Sequence, residues 1–318
     1  FFMINFTDFS KLHHSITLLG MSGIGKTVLS MSLRNSANWF HYSADYRIGT
    51  RYLSEHILDN VKFKIMQMSD PFVADLLKSD SIYINHNISV DNLRPVSTFL
   101  GMYGDDKLGG LDKNTFLVRQ ELYRQAEISA MLDINHFMSK AWEIYRCPNF
   151  INDASGSLCE IVNLEISNDD VLRCLSDQTL IVYIQADNKS EKKMIERAYA
   201  QPKPLYYNHT FLSPLLENMP EDGAGVSPIK FARNCFPSLM QYRKPKYENI
   251  SSILGFKVPI KDLFWSKDKK EAIPSSINFL QNLYTTLKSQ IKSSTTARAK
   301  FEKYLEACLK RQAMRENS

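Results

Sequence analysis

The run Ser15-Ile-Thr-Leu-Leu19 ends at Gly20, and Met21-Ser22-Gly23-Ile24-Gly25-Lys26-Thr27-Val28 follows it. A short β-rich run, closely spaced glycines and a helical pattern over residues 27–33 make an order that few folds accommodate. Glycine at 20, 23 and 25 lets the backbone turn tightly enough for successive N–H groups to converge on an anion. Lys26 would reach the outer phosphates of a nucleotide, and the Thr27 hydroxyl would ligate Mg²⁺. The dipole of the helix that opens here adds to the same field. The spacing is that of a phosphate-binding P-loop. It predicts a nucleotide site built from Gly20, Met21, Ser22, Gly23, Ile24, Gly25, Lys26, Thr27 and Val28.

Further along, Trp39-Phe-His-Tyr-Ser43 reads as a second strand, broken at Ala44-Asp45. Residues 148–152 and 179–184 read as further buried strands, each followed by a polar turn and a helix. Strand and helix alternate, which predicts an α/β fold with a parallel sheet of about five strands flanked by helices. Residues 53–146 are mostly helical by pattern, with a Gly- and Asp-rich loop over 101–110 and one or two helices over 115–145. That is more chain than a crossover needs, so it reads as a helical insertion over the sheet's ligand edge. The expected organisation is a nucleotide-binding domain over 1–227 and a helical C-terminal region with a basic tail over 228–318. In that tail Phe301, Tyr304, Leu305, Cys308 and Leu309 fall at helical spacing, a stripe for packing on the body or on a partner.

Charge narrows the partners. The formal net charge is +5, and residues 288–318, with eight Lys or Arg against three Glu, carry all of it. A neutral body does not support a nucleic-acid footprint. The apolar runs are too short to span a bilayer, and the start lacks a signal-peptide pattern, so a cytoplasmic protein is expected, with Met3 as its initiator. Five scattered cysteines without a CxxC pair suit a reducing compartment and no metal.

In order along the chain, several segments resemble the shikimate-kinase and gluconate-kinase branch of P-loop kinases. The family's second strand ends in an acidic pair; here Tyr42-Ser43-Ala44-Asp45 holds that place with one Asp. Its third strand ends in a small-residue turn beside the acceptor, a place matched by Asn152-Asp153-Ala154-Ser155-Gly156-Ser157. Its fourth strand leads through a helix to an arginine-bearing lid; here Ile181–Ile184 is followed by Arg197 and Lys203-Pro204-Leu205. Before its closing helix it has Arg-x-Pro-x-Tyr, matched by Arg243-Lys244-Pro245-Lys246-Tyr247. The resemblance touches about half the chain. It implies ATP with Mg²⁺, Lys26, Asp45 and Arg197 as catalytic residues, and Asp153 beside Thr27 at the metal. It further implies Lys203 on the nucleotide, and Arg47, Arg51, Ser155, Gly156 and Arg243 on a small anionic acceptor. Lys203 stands where the family has a planar, bidentate arginine, and Asp45 lacks its acidic partner, so shikimate itself is not the expected acceptor. The runs 41–52 and 153–160 also look like a bacterial family of P-loop proteins labelled only as ATPases, which supplies no substrate.

Other classes fit less well. Motor-like ATPases place an acidic residue directly after four apolar ones, whereas residues 181–184 run into Gln185-Ala186-Asp187. Ser155 lacks the elbow sequence and relay of a serine hydrolase, and no Asn-Lys-x-Asp guanine motif occurs. Asp45 also reads as a strand-end turn residue and Asp153 as a helix cap. His13 and His14 read as exposed, and His41 as a strand histidine with its hydrogen bonds satisfied. The competing expectation is a nucleotide-dependent switch or assembly ATPase whose protein partner meets the insertion or the basic C-terminal helix.

Overall fold

The computed structural model describes residues 4–36, 38–67, 70–165, 169–264 and 274–316; Met3 lies outside them. Five strands form one sheet: β1 (Ser15–Leu19), β2 (Trp39–Ser43), β3 (Asn149–Asp153), β4 (Leu180–Gln185) and β5 (Gly255–Pro259). Their order is β2-β3-β1-β4-β5, and every pairing is parallel. The α/β architecture with about five parallel strands, flanked by helices, is therefore as expected. Every residue of β1 is buried, as are the first five of β4, which is what a parallel sheet covered on both faces requires.

Side-chain alternation identifies the covers. Trp39 packs edge-on against Phe279 of the helix Ser276–Ser293, while its neighbour Phe40 packs on Phe137 of the helix Ile134–Glu143. Successive strand residues point to opposite faces, so these two helices lie on opposite sides of the sheet. The helix Lys26–Asn35 packs on β2 and β3, and its Ser32 Oγ donates to Pro274 O at 3.4 Å, beside Ser276, whose Oγ accepts from Trp39 Nε1. It therefore shares the Trp39 face. From β1 the chain passes outward to β2, returns to β3 beside β1, then crosses to β4 on β1's other flank. Ligand crevices in such sheets open at the carboxyl ends of the strands where this reversal occurs.

β5 lies inside the stretch read as the helical C-terminal region. Five residues opened by glycine and closed by proline give little periodic signal. Gly255 is required by close strand approach, since a Cβ there would stand 2.5 Å from Ile181 O.

The chain divides into two compact units, at other places than 227/228. The first, Phe1–Ala44, Met131–Arg197 and Pro237–Ser318, holds the whole sheet, because β5 and the last helices join it. The second, Asp45–Ala130 and Ala198–Phe236, is mostly helical. Its core gathers the rings of Tyr103, Phe116, Tyr207 and Phe231, and Tyr103 Oη donates to Pro220 O at 2.5 Å. Among the described residues, no helix is long and apolar enough to cross a membrane.

At the amino edge of the sheet, the helix Thr295–Glu316 buries Ala297, Phe301, Tyr304 and Cys308 in the first unit, while Leu309, expected in that stripe, is exposed. Its cations engage main-chain carbonyls. Arg311 donates to His13 O and Gln178 O, each at 2.9 Å, and Arg315 donates to Pro148 O at 2.8 Å. Lys300 donates to Ser251 O, Ser252 O and Gly255 O at 3.2, 2.9 and 2.6 Å. His13, Pro148, Gln178 and Gly255 stand at or within two residues of the starts of β1, β3, β4 and β5. Gln178 also ends a helix, where a cation meets the negative end of the dipole. His14, expected to be exposed, is buried here. Its Nε2 lies 2.9 Å from Phe9 O, which can only accept, so Nε2 carries the proton and Nδ1 accepts from Tyr304 Oη at 2.8 Å. Burial holds its pKa down at about 3.

Candidate functional site

At the opposite edge, β1 runs straight into the glycine loop. Gly20, Gly23 and Gly25 have φ of +148°, +85° and +108°, and Gly25 stands at the N-cap of the helix Lys26–Asn35. A side chain at Gly25 would also need space that is filled, because a Cβ would lie 2.9 Å from the Phe264 ring. Among the described residues the N–H groups of Ser22, Gly23 and Gly25 meet no acceptor, while Ile24 N–H donates to Met21 O at 3.2 Å. First-turn N–H groups of a helix lack intrahelical partners in any case. Lys26 is buried, and its Nζ donates to Gly20 O at 2.7 Å and Met21 O at 3.3 Å. Thr27 is half-buried, and Val28 is exposed. The result is a glycine turn with three N–H groups lacking acceptors and a buried ammonium at its end, an arrangement suited to a polyanion.

The turn after β3 is built against this loop. Leu18 pairs with Asp153 across β1 and β3, which brings the two strand ends level. A Cβ on Gly156 would lie 2.7 Å from Ser22 N, so only glycine lets the turn approach so closely. Ser155 is buried, its Oγ 3.2 Å from that of Ser157. Tyr247 Oη donates to Gly156 O at 2.5 Å. Arg243 Nε donates to Glu160 Oε1, and Arg243 NH1 lies 3.8 Å from Met21 Sδ. Arg243 is 1% exposed. Burial opposes its charge, and Glu160, with Tyr247 and Cys159 behind it, more than compensates, so its pKa is raised. Cys159 beside them is pushed up to about 12 by burial. The Arg-x-Pro-x-Tyr stretch thus underpins the loop. Arg243, expected on the acceptor, is enclosed in an ion pair, because a carboxylate 83 residues away claims it.

Arg197, expected on a lid, lies in the helix Asn188–Ala200. It is exposed, with NH2 donating to Gly23 O at 3.4 Å and Nε to Lys193 O at 3.3 Å. Asp45, Arg47, Arg51 and Lys203 belong to the second unit. There Asp45 Oδ1 accepts from Tyr123 Oη at 3.0 Å, Arg47 lies over the Tyr52 ring, and Arg51 and Lys203 are exposed.

One residue of this edge carries more than the sequence suggested. The His41 ring is wholly buried, and neither nitrogen has a hydrogen-bond partner among the described residues. Asp153 stands beside it, with Nε2 3.5 Å from Oδ2. A strand histidine alternating among Trp39, Tyr42 and Ser43 gives no local sign of that pairing.

The donor set fits a nucleotide phosphate chain with Mg²⁺. The Thr27 hydroxyl and the Asp153 carboxylate are hard oxygen donors from one edge of the sheet. Among the described residues no three His, Cys, Asp or Glu side chains gather as a metal cage. Mg²⁺ characteristically takes one or two protein ligands and completes its shell with phosphates and water. Compared with family models, curated proteins and solved structures, the chain has no match.

Proposed function

We propose that the chain is a P-loop phosphotransferase of the kind it resembles, moving the γ-phosphoryl of ATP to a hydroxyl or phosphate of a small anionic acceptor. The observation that carries this reading is the loop: three left-handed glycines between the central strand and a helix, closed around the buried ammonium of Lys26. The loop amides and the helix N-terminus would hold the phosphates, and Lys26 would exchange the Gly20 and Met21 carbonyls for phosphate oxygens. Thr27 and Asp153 would hold Mg²⁺ and its water, and the bound ion supplies charge neutralisation on the phosphates. Arg197 would turn from Gly23 O toward the transferring group. The acceptor oxygen bonds to the γ-phosphorus as the bond to the β–γ bridging oxygen breaks. ADP leaves with that electron pair, and the acceptor proton goes to a base. ATP rather than GTP rests on the resemblance alone.

The test is incubation with Mg²⁺ and γ-labelled ATP, together with fractionated small metabolites, with Lys26→Ala as control. Label entering one fraction, and lost in the variant, is the expected result. No nucleotide binding at all overturns the reading. The role that the resemblance gives Asp45 is tested separately, since full acceptor phosphorylation by Asp45→Asn excludes it. A second reading, a nucleotide switch with a protein partner, draws on Phe63, Phe72 and Tyr83 of the second unit, which are 57%, 71% and 89% exposed. Slow phosphate release without any labelled acceptor would favour it.

A further inference from the structure

We propose that His41 is a positioning residue for Asp153: it carries its ring proton on Nε2 and holds the carboxylate in the orientation in which it serves Mg²⁺. This rests on the nucleotide reading above. His41 pairs in register with Ile151, so Asp153, two residues on, is its diagonal neighbour on the same face. That face is the one covered by the helix that Lys26 and Thr27 open. Ser30, one turn further along that helix, is fully buried, with its hydroxyl also unpartnered among the described residues.

An unpaired polar atom inside a protein calls for an explanation, and here a histidine with two such nitrogens lies beside a carboxylate. Among the described residues, Asp153 is 5% exposed and its carboxylate accepts no hydrogen bond; His41 Nε2 approaches Oδ2 to 3.5 Å. That separation is too long for a hydrogen bond and short enough for a small side-chain rotation to close. Because Nδ1 makes no hydrogen bond, nothing on that side of the ring selects the other tautomer. Closing Nε2–H onto Oδ2 would fix the carboxylate rotamer and leave Oδ1 for the metal's water. A carboxylate without that restraint could still lie near the metal but would be poorly aimed.

The experiment measures binding of a fluorescent ADP, first in EDTA and then across a Mg²⁺ titration, with Lys26→Ala and Asp153→Asn as references. His41→Leu should leave affinity in EDTA within about twofold and raise the Mg²⁺ half-saturation by about tenfold, the same loss as Asp153→Asn. The double variant should lose no more than either single one, as expected for two residues acting as a unit. His41→Gln, whose amide nitrogen falls near the position of Nε2, should restore the half-saturation to within about threefold. His41→Asn, whose nitrogen falls near Nδ1, should not. If His41→Leu fails to fold, the Gln and Asn variants decide between them. Equal Mg²⁺ half-saturation in wild type and His41→Asn, with Asp153→Asn impaired, overturns the proposal while leaving the nucleotide site intact. Binding that is absent in wild type, or unaffected by Lys26→Ala, overturns the nucleotide reading instead. An Asp153→Asn protein with normal Mg²⁺ dependence removes Asp153 from the metal site, and the proposal about His41 with it.

Discussion

The two edges of the sheet treat the same backbone in opposite ways. At the carboxyl edge the chain turns through left-handed glycines, leaves N–H groups without acceptors among the described residues and folds one ammonium back on its own loop. At the amino edge the exposed groups are carbonyls, and Lys300, Arg311 and Arg315 bond to them near the starts of four strands. One edge keeps its hydrogen-bonding capacity in reserve; the other uses it up. A parallel sheet makes this division natural, because its strand ends and helix ends present opposite polarity at its two edges. Changes at the amino edge should therefore alter stability and spare binding. Changes in the loop should do the reverse.

The largest expected effect tests whether the carboxyl edge has a rigid base. Glu160→Leu leaves Arg243 buried without its carboxylate, and should lower unfolding free energy by about 3–5 kcal/mol in urea denaturation. Replacing both partners by Met should recover most of that loss. Should the single variant prove as stable as wild type, the loop does not depend on this pair. Next in size, Lys26→Ala should reduce the proposed turnover about 100-fold or more, equivalent to about 2.7 kcal/mol. Its stability should stay within about 1 kcal/mol of wild type, and a collapse of the fold would blur the distinction between the edges.

Arg311→Ala removes two charge-assisted bonds at the amino edge and should cost about 2 kcal/mol. Nucleotide affinity, measured by fluorescence titration, should remain within about twofold; a larger loss would mean that the edges communicate. The smallest effect is one of pH. His14 is neutral in the fold down to about pH 3, whereas in the unfolded chain it takes up a proton near the ordinary histidine value of 6.5. The unfolded state then binds the extra proton, so stability falls on acidification through that window. Between pH 7 and 5.5 the loss should be about 1.3 kcal/mol. His14→Gln should flatten the unfolding free energy over that range, and an unchanged slope would show that another group is responsible.

What could be read from the sequence was what is local. The loop, the first four strands and the helical character of residues 53–146 each announce themselves within a dozen residues, through glycine spacing or apolar period. β5 did not, because Gly255 and Pro259 punctuate a run too short to show alternation. Long-range partners were equally hidden. The burial of His14 depends on Tyr304, 290 residues later, and the enclosure of Arg243 depends on Glu160, 83 residues earlier. The motif around Arg243 suggested a charge offered to a ligand; packing against Met21 and Glu160 turned it into a support for the loop. Part of the charge in the tail has a long-range explanation of the same kind. Eight cations in one amphipathic stretch suggested a surface for a partner, yet Lys300, Arg311 and Arg315 are occupied within their own unit.

The clasp at the amino edge also sets an order of events during synthesis. Arg311 bonds to a carbonyl 298 residues before it, and Arg315 to one 167 residues before it. As the chain leaves the ribosome, β1, β3 and β4 emerge well ahead of the cations that finish their edge, and β5 comes only shortly before. Contacts between segments so far apart in sequence form slowly and carry a closure entropy that nearer contacts avoid. The first unit must therefore wait with uncovered strand starts until residues 295–316 are free, a window in which exposed apolar surface invites association. A chain ended before residue 295 would carry all five strands and the glycine loop, but none of the three cations that close the amino edge.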